Sequence, residues 1–494
     1  MAKGATTDPQ HTRGGNAGRR STRTGFPGAG GGRYSWVEAP TEYRGTTVQV
    51  CGLWPFGTGS TSPVIGVPIG RHLLTGETVC FDPISWYTRA RLINNPSVYI
   101  ESEPGMGKST AVRRMVLGLA ARGVTPLILG DLKPDYAELV AALGGQVIRV
   151  GPGLQRINPL DAGPWRQVLR HVDARTAMQV KAMVTDRRVN MVLALATLVR
   201  RGPVSSDEAT ITAAALRYLG DREGETQPVL SDVLRVVREA PAEVRAVTLW
   251  PDERDLHKYH DDTANLHRTL LALLHGPLGN TFEGQTTAAI DLDTSAVCVD
   301  ISGLDETDEL RTAASLLATW SYGFGKVEAA HMMADLGLAP PRTFFAVLDE
   351  LWRALRVGHG LVDRADALTR LNRQKGTGVA FITHTLSDLE ALPTAEERAK
   401  ARGFAERSAV LMIGPCSDQE LDAVSKVRVL SQAERDEVLS WSAPPSWNAR
   451  EGEIVGRGNF LIKVGSRPGI PVHLEPTEIE KQLGNTDFRW AMSK

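Results

Sequence analysis

Residues 102–110 place two glycines, a lysine and several hydroxyl side chains within one short stretch. Gly105 and Gly107 let the backbone turn without a Cβ penalty, so that N–H groups can point inward at an anion. Lys108 adds a mobile cation, and a helix that begins at Ser109 would add the positive end of its dipole. These residue types in this order predict a phosphate-binding loop, whose lysine reaches the β- and γ-phosphates of a nucleoside triphosphate.

The elements around this loop favour the same interpretation over a chance Gly-Lys-Ser in a glycine-rich chain. A short apolar strand at 98–100 precedes it, and apolar residues recur at helical spacing from 112 to 119. We therefore expect ATP to bind here with Mg²⁺, which the Ser109 hydroxyl can ligate. Ser102 stands where the usual pattern has its first glycine, so the match is incomplete. The residues expected to bind the nucleotide are Pro104, Gly105, Met106, Gly107, Lys108, Ser109 and Thr110.

An apolar run in residues 342–350 ends in Asp349 and Glu350. Such a run predicts a parallel strand, and ligands of open α/β sheets bind at the carboxyl edge of the strands. Asp349 is predicted to hold Mg²⁺, directly or through water, and Glu350 to orient and deprotonate the attacking water. The alternative is a solvated acidic pair at a strand end. A working site requires Lys108 and both acids to converge on one triphosphate–magnesium cluster. By this criterion, their placement on opposite sides of the molecule or on strands that are not adjacent would argue against a motor.

Two further groups of residues have types that suit a phosphoryl-transfer site. His384 follows the next predicted strand and can donate a hydrogen bond to the γ-phosphate, as a sensor; a loop histidine is the alternative. Arg370 and Arg373 lie just upstream on a polar helix. A guanidinium there could stabilise phosphoryl charge in the same or a neighbouring subunit, and a solvated helix face is the alternative.

Composition bounds the class of protein more than it identifies it. The formal net charge is −1 over 494 residues, so global charge argues neither for nor against nucleic acid. The four cysteines are widely scattered, which favours neither a zinc site nor a disulfide framework and fits a reduced cytoplasmic setting. The longest apolar runs, 191–199 and 313–320, are too short to span a membrane and are typical of core helices.

Patterning along the chain predicts four parts. Residues 1–35 carry six basic residues and one acid with few large apolar side chains, which predicts a disordered basic Gly/Arg tail. That tail is either simply solvated or a tether to nucleic acid or anionic lipid. Residues 36–95 form a small β-rich lead-in. Strands alternate with helices in 96–160 and 285–494, which predicts an α/β core with a mostly parallel sheet. Between them, 161–284 shows helical patterns throughout and is predicted to be an all-α insertion.

Several short segments, in the same order along the chain, together resemble the type IV secretion and conjugation ATPases of the TraC/TraG sort, within the FtsK–HerA superfamily. The resemblance extends over about residues 60–475, and its specificity comes from the series of motifs, since each is weak alone. The segments are 66–70 with 74–76, the phosphate loop, 131–136, 143–145, 157–160, 281–284, 299–304, 347–352, and 383–384 with Asp388.

This resemblance implies a RecA-like P-loop core, ring hexamers and energy supply to a membrane-embedded secretion or conjugation channel. It also implies that Arg373 is a finger acting in trans, and that the protein works in the cytoplasm, at the inner face of the membrane through a partner. Ser102 departs from the family pattern, and His384 replaces the usual glutamine. The large amino-terminal domain of family members has no counterpart here, so we expect a separate polypeptide to supply channel docking.

Three functions are consistent with these observations. The first is a motor ATPase that powers a conjugation or type IV secretion machine. The second is a DNA translocase of the FtsK–HerA type, with DNA as a direct partner, although no aromatic and basic stripe favours it. The third is an ATP-binding scaffold that does not hydrolyse ATP. Stimulation of ATP hydrolysis by DNA, lost steeply with salt, would support the second function.

Overall fold

The computed structural model describes residues 63–224, 226–305, 307–356, 362, 376–387, 392, 394–442 and 455–483. The predicted basic tail, Arg370, Arg373 and Asp388 lie outside these residues, so the expectations about them remain predictions.

Within the described residues, eleven strands form one sheet. They are β1 (Pro68–His72), β2 (Thr78–Cys80), β3 (Ser97–Glu101), β4 (Thr125–Asp131), β5 (Gln146–Arg149), β6 (Val297–Asp300), β7 (Phe344–Leu348), β8 (Thr377–Thr383), β9 (Val410–Ile413), β10 (Asn459–Val464) and β11 (Ile470–Leu474).

The helices that pack around this sheet range from one turn to about seven turns. They are α1 (Pro83–Thr88), α2 (Lys108–Ala120), α3 (Ala137–Ala142), α4 (Trp165–Leu169), α5 (Ala174–Arg200), α6 (Ser206–Asp221), α7 (Leu230–Glu239), α8 (Ala242–Arg245), α9 (Leu256–His275), α10 (Gly279–Phe282), α11 (Glu309–Asp335), α12 (Leu351–Arg356), α13 (Ala395–Arg407), α14 (Asp418–Val427), α15 (Gln432–Trp441) and α16 (Glu478–Leu483).

The sheet has the strand order β2-β1-β11-β10-β9-β3-β8-β7-β4-β6-β5. From β9 to β5 all neighbouring strands are parallel, whereas β9, β10, β11, β1 and β2 pair antiparallel. Every residue of β3, β4, β7 and β8 is buried, as expected for parallel strands covered on both faces. The predicted α/β class with a mostly parallel sheet is confirmed.

Helices cover both faces of the parallel strands. On one face α2 buries Met115 and Val116 against the sheet. On the other face lies α11, a 27-residue helix that includes the apolar run 313–320. Its Trp320 is fully buried, and the indole N–H donates to the carbonyl of Leu129 in β4 at 2.7 Å. None of the helices in the described residues is long and apolar enough to cross a membrane.

The described part of residues 161–284 is built from helices α4 to α10, with no strand among them. A capping box begins α6: the Ser205 side chain accepts from the N–H of Glu208, whose side chain accepts from the N–H of Ser205. The long helices α5, α6, α7 and α9 pack on one another through a shared apolar core, which also joins the sheet. The proposed domain boundaries themselves remain predictions.

Gly70 in β1 lies where the backbone of β11 leaves no room for a side chain. It pairs with Leu474, and a Cβ there would lie 1.9 Å from the carbonyl oxygen of His473. Because two paired backbones cannot separate without losing their hydrogen bonds, we expect Gly70→Ala to lower the free energy of unfolding by about 3 kcal/mol. Denaturant unfolding measures this. Gly220→Ala in α6, where the nearest atom is 4.0 Å away, is the control and should be neutral or stabilising; an equal loss in both variants would contradict the assignment.

Candidate nucleotide-binding site

The loop between β3 and α2 has the backbone that its glycines allow. Gly105 and Gly107 have φ of +77° and +105°, and Gly107 is the N-cap of α2. The Lys108 ammonium group turns back across the loop, where it donates to the carbonyl oxygens of Ser102 and Glu103, the latter at 3.1 Å. These two hydrogen bonds hold the Lys108 ammonium group against the loop. To bind a phosphate, the ammonium group would have to give them up.

The surroundings of the loop affect the pKa of Lys108 and make room for Ser102, which replaces the usual first glycine. Burial lowers the pKa of Lys108 to about 8, although the nearby carboxylates Asp349 and Glu350 act in the opposite direction. Ser102 is fully buried, and a Cβ on Gly414, just after β9, would lie 2.6 Å from the Cβ of Ser102. The Ser102 side chain thus fits at the first loop position because its neighbour just after β9, Gly414, has no side chain.

Asp349 and Glu350 follow β7 directly. Glu350 has a φ of +52°, in the left-handed region. Residues other than glycine seldom adopt this conformation, and those that do are concentrated at functional sites. The Asp349 carboxylate accepts from the N–H of Glu350 at 2.8 Å and from the Tyr136 hydroxyl at 2.9 Å. Burial, together with the charge of Glu350, raises the pKa of Asp349 to about 7.

Three donors surround the Glu350 carboxylate. Lys133 and His384 each lie 3.1 Å from Oε1, and the indole N–H of Trp352 donates to Oε2 at 2.6 Å. Burial by itself would raise the pKa of Glu350, but the hydrogen bond from His384 and the charges of His384 and Lys133 lower it to about 2. So low a pKa suits a carboxylate that orients water. The Glu350 carboxylate becomes a better proton acceptor only when Lys133 or His384 moves away, because its pKa then rises.

The strand order shows that the criterion of adjacent strands was too strict, because the residues still line one cavity. Lys108 and the two acids were expected on adjacent strands, but β8 lies between β3 and β7. Because neighbouring strands are about 4.8 Å apart, the two strand ends are separated by roughly 10 Å. The loop and the side chains extend over that gap, and the intervening strand brings His384 to the same place.

The oxygen atoms beside the loop are the type that Mg²⁺ prefers. The Ser109 hydroxyl donates to Asp135 at 2.7 Å, and Asp131 holds that loop by accepting from the N–H groups of Asp135 and Tyr136. Among the described residues no group of three or more His, Cys, Asp or Glu forms a complete metal site. A magnesium ion in a nucleotide site is bound by one or two protein oxygens together with phosphates and water. Ser109 and Asp349, with Asp135, fit that role.

One cavity of ≈ 240 Å³ joins these groups. It brings together most of the predicted site residues, whereas Met106 is buried and does not line it. The residues lining it are Pro104, Gly105, Gly107, Lys108, Ser109, Thr110, Arg113, Asp131, Leu132, Lys133, Asp135, Asp349, Glu350, Ile382, His384 and Arg457.

Sequence reasoning assigned no role to Lys133, Asp135, Trp352 or Arg457. The first two could have been found, since they follow the apolar stretch that forms β4 and so must lie at the carboxyl edge of the sheet. Trp352 lies within the segment 347–352 that contributes to the family resemblance, but no role followed for it, and no local pattern marked Arg457.

Trp352 is placed to hold Glu350 in its orientation through one charge-assisted hydrogen bond. Trp352→Phe keeps the ring and removes only this N–H donor, so we expect the turnover rate for ATP to fall about 10-fold with an unchanged KM. Steady-state ATPase kinetics test this. Trp250→Phe is the matched control, because it removes an indole bond to Asp262 in the helical region. A raised KM at unchanged turnover would show that Trp352 acts on binding instead.

The fold is of the RecA-like P-loop type, with the cavity at the carboxyl edge of its parallel strands. The solved structure of VirB4 from Thermoanaerobacter pseudethanolicus is similar, with a TM-score of 0.63, 18% identity, and coverage of 86% of this chain and 100% of that chain. The fold expected from the resemblance to type IV secretion and conjugation ATPases is therefore confirmed.

Other comparisons are weaker. The bacterial conjugative coupling protein TrwB matches with a TM-score of 0.46 and 14% identity over 78% of this chain and 87% of that chain. Its complex with ADP and Mg²⁺ gives a TM-score of 0.46 and 14% identity over 77% and 86%. No protein-family model matches the sequence, and a search of curated proteins finds no match.

Proposed function

We propose that this chain is a motor ATPase, which binds ATP with Mg²⁺ and hydrolyses it to power a conjugation or type IV secretion machine. One observation carries the ATPase assignment. The phosphate loop, the two acids after β7 and His384 after β8 all line a single cavity, although the loop lies more than 200 positions before the acids and His384 in the chain.

In this proposal each side chain has a task that its position allows. The loop N–H groups and Lys108 bind the phosphates, while Ser109 and Asp349 hold the magnesium ion. The ion, when bound, neutralises charge on the phosphates. Glu350 orients the attacking water and accepts its proton once His384 or Lys133 moves to the γ-phosphate.

The assignment to a secretion or conjugation machine has separate support. It rests on the ordered series of motifs and on the likeness of fold to VirB4. From these we propose a homohexameric ring with Arg373 as a finger reaching a neighbouring subunit. We further propose that membrane-embedded channel proteins are its partners and that it acts on their cytoplasmic side.

An ATPase assay with and without DNA, run beside mass measurement in ATP and Mg²⁺, tests this function. We expect hydrolysis without DNA and a hexamer in the presence of nucleotide. Strong stimulation by DNA that falls steeply with salt would instead favour a translocase acting directly on DNA. ATP binding without turnover in the assembled ring would favour a non-hydrolysing scaffold.

A further inference from the structure

The turn at residues 455–458 brings the carboxyl-terminal part of the chain onto the phosphate loop. The N–H of Gly458 donates to the carbonyl oxygen of Met106 at 2.9 Å, and its own carbonyl accepts from Leu474 at 2.8 Å. A Cβ on Gly107 would lie 3.4 Å from the Cα of Gly458. The turn therefore connects the loop directly to the β10–β11 hairpin.

The same turn is held firmly on its other side. Gly456 and Gly458 have φ of +76° and +82°, and a Cβ on Gly456 would lie 2.2 Å from the carbonyl oxygen of Trp441 at the end of α15. Between these two glycines Arg457 is exposed, and its side chain lines the nucleotide cavity. Its backbone is thus held between two closely packed glycines, and its side chain borders the cavity.

The other cations that line the cavity are already engaged. Lys108 bonds to backbone carbonyls, and Lys133 and His384 bond to Glu350. Arg113 donates to the carbonyl of Asp135 at 3.2 Å and to Thr110 at 3.3 Å. Among the residues that the structure describes, no hydrogen bond or ion pair engages Arg457.

We propose that Arg457 binds the phosphate chain of the nucleotide in its own subunit and thereby ties the β10–β11 hairpin to nucleotide occupancy. This rests on the proposed function, because it requires a phosphate-bearing ligand in the cavity. A guanidinium group matches phosphate oxygens with two parallel N–H bonds, which makes it the side chain best suited to this contact. Bound phosphate then links the loop, Arg457 and the hairpin in one network.

The test uses Arg457→Ala with Arg467→Ala as its matched control. Arg467 is an exposed arginine at the opposite end of the same hairpin, roughly 20 Å away along six strand residues. We expect Arg457→Ala to bind ATP and ADP 10- to 100-fold more weakly, which is the affinity that about one to two charge-assisted hydrogen bonds contribute. Arg457→Lys should recover part of the loss. Calorimetric titration measures both affinities, and Arg467→Ala should bind like the parent.

Two further readouts separate a phosphate contact from other roles. Inorganic tripolyphosphate, which has no base or sugar, should compete 10- to 100-fold less well in Arg457→Ala. Amide hydrogen exchange across 455–462 should slow on adding ATP to the parent and not to the variant. Unchanged tripolyphosphate competition would overturn the proposal and assign Arg457 to the nucleoside, and unchanged ATP affinity would overturn it outright. In either case ATP binding by the parent leaves the proposed function intact, whereas a parent that binds no nucleotide refutes the function itself.

Discussion

Glu350→Gln is expected to bind ATP about as well as the parent and to hydrolyse it 10²- to 10⁴-fold more slowly, the usual contribution of a positioned general base. Glutamine keeps the size of the side chain and an acceptor oxygen for Trp352. It removes the negative charge that His384 and Lys133 now hold and the group that can take a proton from water. Because Glu350 lines the cavity but supplies no positive charge for phosphate, we expect ATP binding to survive.

The measurement is ATP turnover together with nucleotide affinity for the same preparation. Glu475→Gln is the matched control, since Glu475 is an exposed carboxylate paired with Arg71 on the hairpin surface. That variant should turn over like the parent. Parent-like hydrolysis by Glu350→Gln would assign the base to another residue, and loss of ATP binding would show that Glu350 acts through the structure of the site.

Lys108→Ala is expected to weaken ATP binding at least about 100-fold, because it removes the one side-chain cation within the phosphate loop. The folded protein should survive this change. Burial lowers the pKa of Lys108 to about 8, which means that the folded state already disfavours the charged form. Removing the ammonium group relieves that cost while two bonds to loop carbonyls are lost, so we expect a thermal midpoint within a few degrees of the parent.

Calorimetric titration with ATP and Mg²⁺ measures this effect, with thermal unfolding of the same sample as the check on folding. Lys181→Ala, at an exposed position of α5, is the control and should bind ATP normally. If Lys108→Ala bound ATP with the parent's affinity, the loop would not be a phosphate-binding loop. The proposed motor would then lose its basis.

The amino-acid sequence by itself determined the parts whose cause is local. Glycine permits the left-handed backbone that a phosphate-binding loop needs, and Gly105 and Gly107 adopt it. The apolar run before Asp349 must form a buried strand, and the alternation of strands and helices must give a parallel sheet. Each of these follows from a few neighbouring residues, which is why the fold class was predictable.

Only the tertiary structure decided which distant residues meet. Strand order depends on pairing between segments far apart in the chain, so the expectation of adjacent strands for Lys108 and Glu350 was wrong. The two residues nevertheless line the same cavity. The donors around Glu350 come from three separate segments, and Arg457 reaches the cavity from a hairpin near the end of the chain. No local sequence pattern predicts these long-range contacts, because they result from the packing of the whole sheet.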